Sequence, residues 1–354
     1  MKDKKLLAFS LLVGTVLALF VVAHAQAPTP SYQLLTTIQV PGGGLCTGCT
    51  GGFDISWVDP GSQRLYLTDR TVIKGGGKID VIDTQTNTFL YSIPTTKAEI
   101  GFAGLVTGLP PGANGSGPNG VLAIPQLNQL YVGDGDSTVK VIDLGAKAVV
   151  AIIPTGGKYR ANELAYDPID HIILIGNGAD TPPFYVFIST DTQTVLGRIP
   201  YPDNPPNLEQ PVFDPLTKRF YASIPLSSNP RIDVINPITM LVEKSYPTPC
   251  VPQGLVLTPN KHLFTSCGVV LDAFTGDIIT RIPVAATADE IWYNVGDNRV
   301  YYGVNGTGYV LDAETNKFLV NLPSATGHTL AVDPNNNHIF APVTGAGVKV
   351  FAAQ

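Results

Sequence analysis

Seven polar residues occupy one position of a pattern that recurs along the chain. Each lies five residues before a turn that is most often Asp-Pro, and the positions that follow it are mostly apolar. The seven residues are Asp54, Asn119, Asn162, Glu209, Gln253, Asp289 and His328. A fold that brings these residues together would create an oxygen-rich set with a single imidazole. Carboxylate and amide oxygens suit a hard cation such as Ca²⁺, so the set predicts a divalent metal or ligand site.

Three further residues near these positions carry groups for binding or catalysis. Glu163 and Glu290 each follow an aligned position by one residue, so they would add carboxylates or act as general bases. Arg160 offers a guanidinium that could bind an anionic substrate. The alternative is that these side chains only line a water-filled channel, which needs polar groups whether or not a ligand binds. The candidate catalytic residues are Glu209, Glu163, Glu290 and His328.

A repeat of short strands must position these residues. One motif, two apolar strands joined by a polar turn and ending in Pro, occurs six times, and its first copy spans residues 81–94. A second motif, with the turn that is often Asp-Pro, occurs seven times. The two ends of the chain share the missing copy of the first motif, because residues 348–351 supply its first strand and residues 32–40 supply its last.

The repeat predicts an all-β fold, a seven-bladed β-propeller of four-stranded antiparallel blades. Each unit spans about 47 residues and cannot bury both of its faces alone, whereas seven units packed radially can. Pairing of the N-terminal strand with the C-terminal blade would close the ring without an open edge. Two β-sandwiches are the alternative, but they do not explain why the two ends complete one motif. The predicted propeller covers residues 26–354.

Three segments of the second unit resemble a known repeat. Residues 130–134 (LYVGD), 139–143 (VKVID) and 149–154 (VVAIIP) together resemble the YVTN-type repeat of YncE-like propellers, within the lactonase-like and cytochrome cd1-like group. The resemblance covers nearly all of residues 26–354 and implies the propeller fold. It implies no single function, since the group includes lactonases, haem enzymes, lyases and exported proteins. The consensus sequence of the repeat is matched only loosely, as in residues 65–68 (LYLT).

The resemblance also implies a specific enzymatic alternative. Lactonase-like propellers hold a divalent metal with Glu, Asn and Asp residues of inner strands, and a metal-activated water opens the ring ester. Asn162, Glu209 and Asp289 have these residue types in this chain. The resemblance therefore makes these three residues candidate metal ligands.

Loop lengths favour one face of the propeller for binding. The turns on one face are short, whereas the connections on the other face are long, at residues 70–77, 95–119, 179–184 and 201–207. Long loops on a rigid scaffold often carry function. We therefore expect a small molecule or a protein partner to bind at the channel mouth on the long-loop face, without catalysis. A metal-dependent hydrolase of the lactonase kind is the alternative. Residues 95–119 would form a mobile lid or a disordered insertion.

The first 25 residues have the pattern of an export signal. Lysines near the start precede an apolar run over residues 6–22, and Ala23-His24-Ala25 offers small residues for cleavage before Gln26. The pattern predicts a periplasmic or secreted protein with no membrane span after cleavage. A retained membrane anchor is the alternative, because the apolar run borders on spanning length.

Four cysteines remain in the predicted mature chain. An even number of cysteines in an exported protein favours disulfides. Cys46 and Cys49 could close a tight ring, and Cys250 and Cys267 flank a predicted hairpin, which would bring them together. A zinc site of four thiolates is the alternative.

Composition excludes several classes of partner. Charged residues make up only 14% of the chain, and its formal net charge is −6 without a basic stripe, so binding to nucleic acid or to an anionic membrane is not expected. Hydrophobic residues make up 44% of the chain, which argues against disorder. His171, His262 and His338 are predicted to be exposed on the short-turn face, so haem and copper sites are not expected. We expect a monomer.

Overall fold

The fold is a seven-bladed β-propeller, as the repeat predicts. A computed structural model describes residues 30–42, 52–70, 76–95, 100–283, 288–304, 306–322, 327 and 329–354. Within these residues the strands form seven four-stranded antiparallel sheets, and the one helix is a short 3-10 turn, Pro125–Leu127. The innermost strands of successive blades contact one another in a closed ring, from β2 to β6, β10, β14, β18, β22, β26 and back to β2.

The blades follow one another along the chain. Blades 1 to 3 consist of β2 (Phe53–Asp59), β3 (Arg64–Asp69), β4 (Lys78–Asp83) and β5 (Thr88–Ile93); β6 (Val121–Ile124), β7 (Gln129–Gly133), β8 (Thr138–Asp143) and β9 (Ala148–Pro154); and β10 (Leu164–Asp167), β11 (Ile172–Asn177), β12 (Phe184–Ser189) and β13 (Thr194–Pro200). Blades 4 and 5 consist of β14 (Pro211–Asp214), β15 (Arg219–Ile224), β16 (Arg231–Asn236) and β17 (Leu241–Pro247); and β18 (Leu255–Leu257), β19 (His262–Thr265), β20 (Val269–Asp272) and β21 (Ile278–Arg281). Blades 6 and 7 consist of β22 (Ile291–Asn294), β23 (Arg299–Val304), β24 (Thr307–Asp312) and β25 (Lys317–Leu322); and β26 (Ala331–Asp333), β27 (His338–Val343), β28 (Gly347–Ala353) and β1 (Tyr32–Ile38).

Blade 7 contains both ends of the described chain. Strand β1 pairs antiparallel with β28, with Tyr32 opposite Ala353 and Ile38 opposite Val348. This pairing confirms the predicted closure of the ring by the N-terminal strand. It removes the unpaired edge that β28 would otherwise present to solvent.

Burial differs among the four strands of a blade. The second strands are packed between neighbouring blades and are almost fully buried, as in Ile172–Asn177. The outermost strands alternate between exposed and buried residues, as in Thr194–Pro200. Side chains as large as Tyr131 and Phe187 are completely buried, and burying each one stabilises the fold by about 1.5–3 kcal/mol.

Aspartates organise the short turns. In the turn between the first two strands, Asp59 Oδ1 accepts a hydrogen bond of 3.0 Å from the backbone N–H of Gly61. Between the third and fourth strands, Asp272 Oδ1 accepts a bond of 2.8 Å from the N–H of Phe274. A short carboxylate side chain can bond to the backbone two residues ahead, which is why Asp recurs at these positions.

The long connection between blades 1 and 2 is attached to the core where the structure describes it. Phe102 is buried, and the backbone N–H of Ala103 donates to both carboxylate oxygens of Asp134, at 3.1 and 3.2 Å. Asp134 also forms an ion pair with Lys140. Residues 100–119 are therefore anchored to blade 2, and residues 96–99 lie outside the described part.

One predicted cysteine pair is present at bonding distance. The sulfur atoms of Cys250 and Cys267 are 2.11 Å apart, so a disulfide joins the segment before β18 to the turn after β19. Cys46 and Cys49 lie outside the described residues, as does the predicted export signal. Among the residues that are described, no helix is long and apolar enough to cross a membrane.

The three histidines on the short-turn face differ in exposure. His171 is exposed, as predicted. His262 and His338 are only half-buried rather than exposed, because each hydrogen-bonds to an asparagine of a neighbouring blade, Asn316 at 2.9 Å and Asn87 at 3.1 Å.

Candidate functional site at the channel neck

The aligned polar residues lie where each innermost strand begins, on the long-loop face. Asp54 belongs to β2, and Asn119, Asn162, Glu209, Gln253 and Asp289 each stand two residues before the first residue of the next innermost strand. Because the innermost strands surround the channel, the start of each strand faces its neck. His328 lies outside the described residues.

Three carboxyl groups meet at this neck. Glu163, Glu209 and Asp289 each place one carboxylate oxygen within 4.8 Å of the other two, and we call them the carboxylate cluster. Glu163 and Glu209 are each only 3% exposed, and Asp289 is half-buried. Asn162 borders the cluster, with its Nδ2 atom 3.5 Å from Glu209 Oε2. The structure thus brings together the three candidate metal ligands and adds Glu163 to them.

Burial and mutual repulsion favour protons on the cluster. Burial and the charges of Glu209 and Asp289 raise the pKa of Glu163 well above its ordinary value. Burial and Asp289 raise the pKa of Glu209 to about 7, although Arg160 and a 2.7 Å hydrogen bond from Asn207 act in the opposite direction. The ionised forms of Glu163 and Glu209 are therefore disfavoured at the neck unless a positive charge lies close to them.

The other half of the neck is organised by Arg70. Its guanidinium donates to Asp54 Oδ2 and, at 2.6 Å, to Asn119 Oδ1. Asn119 Nδ2 in turn donates to the carbonyl oxygens of Ser116 and Ala161, each at 3.0 Å. Asp54 and Asn119 thus hold neighbouring segments together around Arg70, and Arg70 was not among the predicted residues.

Arg160 and Gln253 lie at the edge of the neck. Arg160 is half-buried, and its positive charge opposes the rise in the pKa of Glu209. Its Nε atom is buried and has no hydrogen-bond partner among the described residues. Gln253 is half-buried, and its backbone N–H donates to Ser266 Oγ at 3.0 Å.

Glu290 lies one step deeper in the channel. It is 4% exposed, and its Oε2 atom accepts a hydrogen bond from the hydroxyl of Thr329. Burial raises the pKa of Glu290 to about 8, with Asp289 and Asp54 contributing in the same direction and bonds from Thr329 and Ser56 opposing it. Glu290 therefore interacts with the acidic groups of the neck and also lines the cavity below it.

Below the neck the channel widens into a cavity of about 550 Å³. Glu163, Gln210 and Glu290 line its inner end, and residues of the Asp-Pro turns line its outer end on the short-turn face. Its walls include Trp57 and Trp292, whose rings are in edge-to-face contact with centroids 5.4 Å apart. The repeat pattern does not predict this cavity, whose lining comes from the residues one to four positions beyond the aligned positions in blades 1 to 6 and from the turns that follow them.

A smaller cavity of about 360 Å³ lies among the long loops. Its lining is rich in proline and includes Pro110, Pro111, Tyr159, Asp180 and Pro205. It occupies the face on which the sequence predicts binding, between the connection of residues 100–119 and the loops of blade 3.

Three residues that hydrogen-bond to carboxylates of the neck were not predicted from the sequence. Arg70, Asn207 and Thr329 each hold a carboxylate of the neck, namely those of Asp54, Glu209 and Glu290. They fall outside the aligned position, so alignment of the repeat does not reveal them. An arginine directly after a predicted second strand, as at Arg70, is a signal that the sequence does contain.

Comparison with known proteins identifies the fold. Neither a protein-family model nor a curated protein sequence matches this chain. The hydrazine synthase of Kuenenia stuttgartiensis is similar in structure, with a TM-score of 0.66 and 14% identity over 86% of this chain and 97% of that one. A chain of the mitotic checkpoint complex matches with a TM-score of 0.66 and 10% identity, over 99% of this chain and 98% of that one. At such low identity the similarity concerns the propeller fold alone. Membership of the YVTN-type group stays a prediction.

Proposed function

We propose that this protein is an exported binding propeller that holds a divalent cation of the Ca²⁺ type at the neck of its channel. The carboxylate cluster carries the proposal, because Glu163, Glu209 and Asp289 converge within 4.8 Å. With a cation in place, a ligand bound at the long-loop mouth would contact both the cation and Arg160. A small molecule with an anionic group fits this combination of charges best.

The balance of charge supports a cation at this point. Five carboxyl groups interact at the neck, those of Asp54, Glu163, Glu209, Asp289 and Glu290. Two guanidinium groups, those of Arg70 and Arg160, oppose them. In addition, Glu163 Oε2 is buried without a hydrogen-bond partner among the described residues. A buried oxygen of this kind is costly to leave unsatisfied, and a bound cation would satisfy it.

The donor atoms favour a hard cation. The cluster offers carboxylate oxygens, and the amide of Asn162 stands beside Glu209. Oxygen ligands of this type suit Ca²⁺, whereas zinc and copper sites usually include histidine or cysteine. The cysteines of the described chain, Cys250 and Cys267, are bonded to each other, so neither offers a thiolate ligand.

Calorimetric titration with CaCl₂ after removal of metals by a chelator tests the proposal. We expect one bound ion per chain, and we expect Glu209→Gln and Asp289→Asn each to weaken its binding by about tenfold or more, since each removes an anionic ligand. Glu314→Gln, at an exposed turn, is the matched control and should bind as the wild type does. Absence of stoichiometric binding, or binding unchanged by both substitutions, would refute the proposal.

A metal-dependent hydrolase is the second candidate, and one observation favours it. A pKa of about 7 makes Glu209 a suitable general base at neutral pH. A divalent cation at the cluster would supply Lewis-acid chemistry toward an ester carbonyl. In this candidate Glu163, Asp289 and Asn162 would hold the cation. Glu209 would accept a proton from the attacking water, and Arg160 would orient an anionic substrate.

Hydrolysis of simple lactones by the Ca²⁺-loaded protein separates the two candidates. The hydrolase candidate requires turnover that is lost in Glu209→Gln and retained in Glu314→Gln. If the loaded wild-type protein binds the cation but opens no lactone, the enzymatic candidate fails and the binding function remains.

A further inference from the structure

The cavity on the short-turn side of the channel has aromatic walls. Five aromatic residues line it, namely Trp57, Tyr166, Phe213, Trp292 and Tyr293. All five are partly exposed, so their rings are accessible from the channel. A volume of about 550 Å³ lies within the range of cavities that hold small molecules.

Carboxyl groups close the inner end of this cavity. Glu163 and Glu290 line that end, and both are nearly completely buried. The one cationic residue in the described lining, Lys261, is near the outer end and already donates to Asp214 Oδ1 at 2.6 Å. The cavity thus combines an apolar aromatic body with acidic groups at its closed end.

We infer that the short-turn end of the channel binds an organic ammonium ion whose apolar body fills the aromatic part of the cavity and whose charged nitrogen pairs with Glu290. Aromatic faces attract cations through their quadrupoles, and the attraction strengthens when water is excluded. The apolar body would gain from removal of its surface from water. This site adjoins the carboxylate cluster through Glu163, but Trp57, Trp292 and Glu290 belong to it alone, and it goes beyond the proposed cation-dependent function.

Charge complementarity selects an ammonium ion over other occupants. An anionic ligand would meet Glu163 and Glu290 at the inner end without a free cation to oppose them. A neutral ligand would use the aromatic walls but would gain nothing from the charge of Glu290. An ammonium ion uses both features: its positive charge would favour the ionised form of Glu290, whose pKa burial otherwise raises to about 8, and a charged hydrogen bond to a buried carboxylate is stronger than one between neutral groups.

The two tryptophans of the chain provide the assay. The full sequence contains two tryptophans, and both line this cavity. Intrinsic tryptophan fluorescence therefore reports on this site directly. The probes are 4-phenylbutylamine and its neutral counterpart 4-phenyl-1-butanol, which have the same apolar body. We expect both to change the fluorescence and the amine to bind at least about tenfold more tightly.

Two variants identify the groups responsible. Glu290→Gln should weaken amine binding by about tenfold or more and leave alcohol binding within about twofold, so that the alcohol confirms an intact cavity in the variant. Trp292→Leu should weaken both probes, with Trp57 as the remaining reporter. Glu314→Gln is the surface control.

Three outcomes would overturn the inference. These are no fluorescence change with either probe, equal affinity for amine and alcohol, or an amine affinity that Glu290→Gln alters by less than about twofold. Calorimetry with CaCl₂ on the same variants keeps the two proposals apart, because Trp292→Leu changes no member of the carboxylate cluster. Failure of amine binding with normal Ca²⁺ binding would leave the proposed function standing.

Discussion

Glu209 gains its chemical character from its neighbours rather than from its residue type. Asn207 and Asn162 hold its two oxygens in place, and Asp289 and Glu163 bring negative charge close to them. An isolated glutamate on the surface would be ionised at neutral pH. In the channel neck burial and these charges raise the pKa of the same side chain to about 7, and the proposed cation would bind there.

The raised pKa values predict an unusual dependence of stability on pH. Between about pH 4.5 and pH 7 the folded protein keeps protons on Glu209 and Glu163 that the unfolded chain has released. The folded state binds more protons, so the free energy of unfolding falls as pH rises through this window. Thermal unfolding in a chelator, measured at a series of pH values, checks this.

Two comparisons sharpen this experiment. Adding CaCl₂ should restore the stability lost at the upper end of the window, because the cation replaces the protons. Glu209→Gln should show a smaller decline, since one titrating group has been removed. A decline of equal size in the variant would contradict the assignment to Glu209.

At the scale of elements, one buried ion pair joins the long connection between blades 1 and 2 to the strands of blade 2. Asp134 follows β7. It accepts a hydrogen bond from the backbone N–H of Ala103 in the long connection, and it forms an ion pair with Lys140 of β8. Asp134 is completely buried, and Lys140 is 4% exposed. The connection is therefore attached to blade 2 through a buried charge pair.

Replacement of Asp134 should be far more harmful than replacement of its neighbour. Asp134→Ala leaves Lys140 buried without its closest partner, at an expected cost of about 3–5 kcal/mol in the free energy of unfolding. Asp136 contacts the same lysine at 3.2 Å but its side chain is 49% exposed, so Asp136→Ala should cost less than about 1 kcal/mol. Denaturant unfolding of both variants measures the difference. Equal costs would show that burial of Asp134 is not the deciding factor.

At the scale of the whole molecule, one strand joins the two ends of the chain. Strand β1 completes blade 7, and the contacts among the seven innermost strands then form an unbroken ring. Removing this closure would expose an edge strand and the apolar surface between blades 7 and 1. The geometry of the neck depends on this closure, because its residues come from separate blades.

Two substitutions on β1 test the closure. Ile38 is 5% exposed and packs with the core between blades 7 and 1, whereas Leu34 on the same strand is 50% exposed. Ile38→Asp should destabilise the protein by about 3 kcal/mol or more, because it buries an unpaired charge. Leu34→Asp should change stability by less than about 0.5 kcal/mol. Similar thermal stability of the two variants would argue against a closing role for β1.

The periodic features of the fold were determined by the sequence alone. Short apolar strands, Asp-containing turns and the complementary ends predict seven blades and their closure, because both hydrophobic alternation and turn chemistry are local properties of the chain. The same repeat locates the aligned polar residues at the starts of the innermost strands. The pairing of Cys250 with Cys267 follows equally from their positions around one hairpin.

Only the tertiary structure shows which of these residues contact one another and how burial and neighbouring charges change their pKa values. The repeat does not distinguish Asp54, which is held by Arg70, from Glu209, which lies close to two other carboxyl groups. The repeat also does not predict the aromatic cavity below the neck, whose walls come from blades that are distant in sequence. The reason is physical: burial and electrostatic coupling depend on distances across the channel, and a local pattern contains no such distances.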